Sequence, residues 1–274
     1  MNLNPPKGWL TQITTRSNLK DERSKDERNS PFDYLFPGVT ERTGQGATPE
    51  EIVAMMDEAG IEKGILNIRS GDPEPALRAI EKYPGKFAGA VPVNPLEGLP
   101  AVKKMERLVK ENPFIKAVRV SAFTTLKPYN DRTYYPLYAK CVELGIPVTA
   151  NVGLPAPRVP GEPQNPIHLD EVCWFFPDLK VVMTHCGEPW QFTCVKLMLK
   201  WPNLYYMTSA FAPRYYPPEI IHYMNTRGAD KVMFATDYPM LPFDRCMREV
   251  KDLPLKEHVR AKFLRENALK VFRL

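Results

Sequence analysis

Two stretches decide how this chain reads: Lys180-Val-Val-Met-Thr-His-Cys-Gly-Glu-Pro-Trp190 and Lys231-Val-Met-Phe-Ala-Thr-Asp-Tyr-Pro239. Each is a short apolar run that ends in a polar group and then a turn. Val181, Val182 and Met183 show no alternation, the pattern of a strand buried on both faces of a parallel sheet. Gly187 and Pro189 break the chain after His185, and Pro239 does so after Asp237. A polar side chain just beyond the C-terminal end of a buried parallel strand points into the mouth of an α/β fold, where ligands bind. His185 and Asp237 are therefore the leading functional pair. Either one alone could be an ordinary hydrogen-bonded turn residue. The convergence of strand ends is what makes the two together a site.

The same pattern recurs on both sides. Thr48-Pro-Glu-Glu51 reads as a helix start with a capping box and Pro at the first helical position, and Gly60 ends that helix. Strands follow at 64–68, 87–93, 115–121, 146–152, 180–185, 204–208 and 231–236, with helices between them. Trp9-Leu-Thr-Gln-Ile13 supplies a first strand, and the tail from Lys256 reads as one amphipathic helix. Eight strands alternating with helices predict an α/β chain folded as a (β/α)8 TIM barrel. A doubly wound open sheet is the runner-up, but no Gly-rich GxGxxG follows the first strand.

The chain divides into an N-terminal segment, 1–47, and the barrel proper, 48–274, within one domain. Segment 1–47 holds the first strand and a charged loop in which a tetrapeptide is written twice, Lys20-Asp-Glu-Arg-Ser-Lys-Asp-Glu-Arg28. The Pro-rich stretch 154–167 is a loop of the kind that covers a site.

At the mouth this register gathers Gln12, Asn67, Arg69, Arg119, Asn151 and Ser209 around His185 and Asp237. Arg119 stands out, because it is a charge inside an apolar strand. It must reach either the mouth or a buried acid.

With 274 residues and 43% hydrophobic content, the chain can bury one large core. The net charge of +5, from 37 basic and 32 acidic residues spread along the chain, gives no reason to expect nucleic acid. No apolar run approaches the roughly 20 residues of a membrane span. Five cysteines, odd in number and without CxxC spacing, suit a reduced cytoplasmic protein. Cys141, Cys173 and Cys194 fall in helical patterns as small core residues, whereas Cys186 beside His185 is a candidate reactive thiol. The aromatic cluster Phe32 to Phe36 and the Tyr215-Tyr-Pro-Pro218 motif leave room for a homodimer.

Several motifs carry a family resemblance. Thr184-His-Cys-Gly-Glu-Pro-Trp190, Asn203-Leu-Tyr-Tyr-Met-Thr-Ser209, Tyr215-Tyr-Pro-Pro-Glu219 and Phe234-Ala-Thr-Asp-Tyr-Pro239 resemble the amidohydrolase-2 branch of the amidohydrolase superfamily. Thr133-Tyr-Tyr-Pro-Leu-Tyr138, Glu143-Leu-Gly-Ile-Pro147 and Asn267-Ala-Leu-Lys-Val-Phe272 fit as well, so the likeness spans residues 48–274. It implies a (β/α)8 barrel and small-molecule chemistry, with hydrolases, lactonases and nonoxidative decarboxylases among the members. It also implies a metal box: Asp-x-His-x-His on strand one, a His after strand five, a His after strand six and an Asp after strand eight. His185 and Asp237 match the last two. Leu10 and Gln12 stand at strand one and Asn151 at strand five, and no His-x-His occurs anywhere in the chain. A catalytic zinc site uses about three good protein ligands, and amides are poor ones. A divalent metal such as zinc, held by His185 and Asp237, is the secondary expectation; Glu188 is a candidate substrate-binding residue, and the spacing does not require it as a third ligand.

The leading expectation is a metal-independent, lactonase-like hydrolase acting on a carboxylate-bearing ester or lactone. Asp237 is the general base and His185 the polarising group. Arg119, with Arg69, binds the substrate carboxylate. Asn151 and Gln12 supply hydrogen bonds, and Trp190, Tyr215 and Tyr216 are candidate walls of the pocket. The alternatives are a metal-dependent nonoxidative decarboxylase and a non-catalytic barrel that binds a ligand.

Overall fold

The computed structural model describes residues 1–3, 18–25, 34–69 and 71–274. The expected first strand at Trp9–Ile13, with Leu10 and Gln12, lies outside the described residues, as do Phe32 and residues 26–28 of the charged repeat.

Seven parallel strands form one sheet in chain order. They are β1 (Gly64–Asn67), β2 (Phe87–Pro92), β3 (Ile115–Val120), β4 (Val148–Asn151), β5 (Val181–Thr184), β6 (Leu204–Met207) and β7 (Val232–Met233). They are the second to eighth strands of the sequence reading, and helices connect them on the outside. The sheet curls as in a TIM barrel. The chain start runs into the gap: Asn67 N–H donates to the Met1 carbonyl at 2.8 Å and Asn2 N–H to the Tyr238 carbonyl at 3.1 Å. Met1–Asn2 thus links β1 to the segment after β7, the pairing an additional strand would make.

The strands are apolar on both faces, as a parallel sheet inside a helical shell requires. All four residues of β5 are buried. Val118, Val120, Val148 and Ala150 pack outward into the main core, beneath the helices. The alternate positions, Ala90, Ala117, Val182 and Met233, form a separate inner cluster with Ile65 and Tyr205. Val271 and Phe272 of the C-terminal helix join that cluster and fill it. The period of two then fixes which polar residues face the lumen one step further along: Asn67 after Ile65, Arg119 after Ala117, Asn151 after Thr149.

Two elements are shorter than the sequence suggests. Strand β4 begins at Val148 rather than at Ile146, because Pro147 has no N–H for the ladder. Strand β7 stops at Met233 because the Phe234 N–H leaves the sheet and donates to the Phe263 carbonyl at 2.9 Å. That carbonyl is free because the C-terminal helix is interrupted. Residues Glu257–Ala261 and Asn267–Phe272 are α-helical, but Lys262–Glu266 winds as a π-helix. There Asn267 N–H donates to the Lys262 carbonyl and skips that of Phe263.

The loop after β4 packs tightly on the loop after β5. Gly153 adopts φ +100°, and a Cβ there would lie 2.9 Å from both the backbone N and O of Glu188. Leu154 N–H donates to the Glu188 carbonyl at 2.7 Å across the same contact. Gly153→Ala is expected to lose about 1–3 kcal/mol of stability, seen as a fall of several degrees in melting temperature. A variant melting with the wild type would show that this contact yields freely.

Candidate active site

Arg119 is the penultimate residue of β3 and, by alternation, projects into the lumen. Its Nη2 lies 3.4 Å from Asn151 Oδ1 and 3.4 Å from His185 Nε2, both at the long end of hydrogen-bond range. Among the described residues no Asp or Glu is in ion-pair range of Arg119. The alternative that it answers a buried acid therefore finds no support. Asn151 is fixed on two sides. Its Oδ1 also accepts the Thr184 hydroxyl at 3.1 Å, and its backbone carbonyl accepts the phenol of Tyr129. The Tyr129 oxygen in turn accepts the Ala122 N–H at 3.3 Å. Burial pushes the Tyr129 pKa well above its ordinary value, so the phenol keeps its proton and remains a donor.

His185 and Asp237 both leave their strands in the left-handed region, with φ +68° and +63°. Each such residue costs about 1–2 kcal/mol for a side chain bearing a Cβ, and active sites are where such strain collects. The kinks turn both side chains over the lumen. The imidazole pKa is pushed down to about 4, chiefly by loss of hydration; the Asp237 carboxylate opposes that shift and the Arg119 cation adds to it. His185 is therefore neutral at pH 7. A guanidinium can only donate, so Nε2 must be the accepting nitrogen and Nδ1 carries the hydrogen. Nδ1 lies 3.1 Å from Ser209 Oγ and 3.4 Å from the Ser209 carbonyl, and both can accept. Cys186 is buried and its thiol is pushed up to about 12 by burial. The expectation of a reactive Cys186 thiol is overturned, since thiolate chemistry is out of reach at neutral pH.

A cleft of about 2000 Å³ opens above these groups. Asn67, Arg69, Arg119, Asn151, His185 and Asp237 line it, and so do Glu188, Tyr215 and Tyr216. Arg69 pairs with Asp72 at 3.1 Å on the rim. Trp190 does not reach the cleft wall; it caps the helix Gln191–Lys200 from outside. Sequence reasoning missed Asn2, Tyr129 and Gln164. Asn2 Oδ1 accepts from Asn67 Nδ2 at 3.1 Å, and Gln164 Nε2 donates to the Gly153 carbonyl at 2.8 Å. Asn67 Oδ1 and Gln164 Oε1 are buried acceptors with no partner among the described residues. Only the Pro-rich character of the loop hinted at Gln164, and nothing in the sequence marked Asn2.

These residues fit a divalent metal poorly. Among the described residues no group of three or more His, Cys, Asp or Glu could hold one. Of the four histidines, only His185 lines the cleft. An ion on His185 Nε2 would need the lone pair that Arg119 occupies. It would also sit beside a permanent positive charge, at about 4 kcal/mol of repulsion per pair of unit charges 4 Å apart in a protein-like medium. The Asn2, Asn67 and Asn151 amides are weak, neutral donors that do not offset this.

The family model for amidohydrolases matches residues 14–274. The chain belongs to the amidohydrolase family. Its fold is an enzyme-bearing one. An uncharacterised TIM-barrel protein from Bordetella bronchiseptica is similar, with TM-score 0.75 and 27% identity over 99% of this chain and 96% of that one. The 5-carboxyvanillate decarboxylase from Sphingomonas paucimobilis superposes with TM-score 0.69 at 18% identity, over 100% and 97% of the two chains. A 5-carboxyvanillate decarboxylase from Novosphingobium aromaticivorans, solved with bound manganese, gives TM-score 0.68 at 18% identity over 98% and 89%. Among curated proteins, none matches the chain. No helix among the described residues is long and apolar enough to cross a membrane.

The depressed pKa of His185 links its charge to stability. Between pH 6.5 and about 4 the unfolded chain binds this proton and the folded chain does not. Stability is thus full above pH 6.5 and falls as the pH drops through this window, by up to about 3 kcal/mol at 1.36 kcal/mol per unit. Melting curves from pH 7 to 4 should show a steeper decline for the wild type than for His185→Asn. Parallel declines would show that the imidazole titrates normally.

Proposed function

We propose that this chain is a lyase that removes CO2 from a small hydroxylated, unsaturated or aromatic carboxylic acid. The observation that carries the proposal is the Arg119 guanidinium, held in the lumen by neutral partners, with no acid in ion-pair range among the described residues and the cleft above it. A fork of N–H donors in that position is an anion receptor. The unpartnered acceptors of Asn67 and Gln164 suit substrate hydroxyl groups. Structural relatives that decarboxylate 5-carboxyvanillate and 2,6-dihydroxybenzoate lend support. The hydrolytic reading uses the same residues with Asp237 as base and ranks second, because no structural relative named above is described as a hydrolase.

Decarboxylation replaces CO2 by a proton at one carbon. Arg119 holds the substrate's anionic oxygens and sets the plane of the molecule over the lumen. Asp237 relays a proton from water to the carbon bearing the carboxylate, leaving hydroxide. The C–C bond then breaks, its electron pair returns to the π system and CO2 departs. Neutral His185 accepts from Arg119 through Nε2 and is braced by Ser209 at Nδ1, so it positions the guanidinium without adding charge. The five free, buried cysteines favour a reducing compartment.

The test is a panel of hydroxybenzoates and unsaturated acids, followed by CO2 release and loss of substrate absorbance. The wild type should turn over at least one of them. Asp237→Asn should lose about 10²–10⁴-fold in kcat with its melting curve intact. Full activity in Asp237→Asn would remove the acid from its role, and ring opening of a lactone without CO2 would put hydrolysis in its place.

A further inference from the structure

We infer that the Arg119 guanidinium is the fixed cation of this site and takes the His185 lone pair that a divalent metal would need. The inference rests on reading this cleft as the catalytic centre.

Three observations carry it. First, Arg119 takes two atoms at the ends of neighbouring strands: His185 Nε2 and Asn151 Oδ1, each 3.4 Å from its Nη2. His185 is the imidazole that a metal of this family would need, and its one free lone pair faces Arg119 N–H. The tautomer is held in that state from behind, by Ser209 Oγ and the Ser209 carbonyl at Nδ1. Second, the cation is built in rather than captured. Arg119 follows Ala117 on the lumen side of β3, and Asn151 is clamped by Thr184 and Tyr129. Third, Asn2 and Asn67, which line the cleft beside these groups, are neutral amides hydrogen-bonded to each other. They suit a single positive charge, whereas a divalent ion calls for anionic or imidazole ligands.

The substitution limits the chemistry. A guanidinium orients and neutralises an oxyanion through up to five donors, but it has no vacant orbital. It cannot bring bound water to a pKa near 7 as a catalytic metal does. A site built this way serves reactions driven by proton delivery to a bound anion and serves metal-hydroxide attack poorly.

The test uses the full-length purified chain, loaded with MnCl2 or ZnCl2, dialysed against metal-free buffer and assayed by elemental analysis and thermal melting. Sodium salicylate is the anion probe. Only substoichiometric metal should remain, and EDTA should leave the melting temperature unchanged. Salicylate should raise the melting temperature of the wild type, part of the shift should survive in Arg119→Lys, and none should survive in Arg119→Met. Circular dichroism establishes that each variant is folded, and if Arg119→Met does not fold, the reduced shift in Arg119→Lys decides the point. Stoichiometric manganese or zinc that is lost in His185→Asn would overturn the inference, as would an undiminished salicylate shift without the Arg119 cation. These readouts are independent of turnover. A metal-free chain that releases no CO2 would sink the proposed lyase activity alone, and a decarboxylase with one tightly held manganese would sink the cation assignment alone.

Discussion

A guanidinium inside a ring of parallel strands is the constraint to which the rest of this structure answers. Strand β3 sends apolar side chains into a main core on one side and a small inner cluster on the other, with the half-buried Lys116 near its start. On the lumen side a charge is tolerable only at the last step, where the mouth opens to water. Arg119 takes that step. Around it the sequence supplies neutral acceptors rather than acids, so the charge is held in place without being cancelled. That choice leaves its attraction for an incoming anion intact, whereas a buried Asp or Glu partner would have spent it.

Two side chains that line the mouth with this cation are placed there by strained backbone. His185, immediately beyond β5, and Asp237, four residues beyond β7, each adopt a left-handed φ. The neighbouring turns are braced: Tyr206 donates its hydroxyl to the Cys186 carbonyl at 2.7 Å, and Gly153 lies directly against the loop that follows His185. The strain is offset by a rigid frame, which is how a cleft can present an imidazole and a carboxylate in one orientation. It also explains the protonation state of His185. Stripped of its hydration and held beside a permanent positive charge, the ring stays neutral at pH 7.

The strands were legible in the sequence because burial on both faces erases alternation. Runs such as Val181 to Met183 and Val232 to Ala235 admit few other readings. The charge of Arg119 within such a run was legible too, as a demand for a mouth or a buried acid, and the structure answers with the mouth. What escaped notice has physical reasons. Asn2 joins the sheet through single backbone bonds, too short a pairing to leave a hydrophobic pattern. Tyr129 acts on Asn151 through a backbone carbonyl, which no residue type announces. Gln164 sits in a Pro-rich loop whose fold depends on contact with Gly153. The ends of β4 and β7 were misjudged because Pro147 withholds a donor and Phe234 sends its donor elsewhere. Cys186 looked reactive by its address beside His185, but full burial decides its chemistry instead.

The π-helical turn at Lys262–Glu266 gives the C-terminal helix a reach it would otherwise lack. By releasing one carbonyl to Phe234, it sews the tail of the chain to the root of the segment that carries Asp237. The same helix plugs the floor of the barrel with Val271 and Phe272. Floor and acid are therefore one mechanical unit. A disturbance at the far end of the molecule, some distance from any substrate, would be transmitted as a change in where the proton donor hangs over the opening.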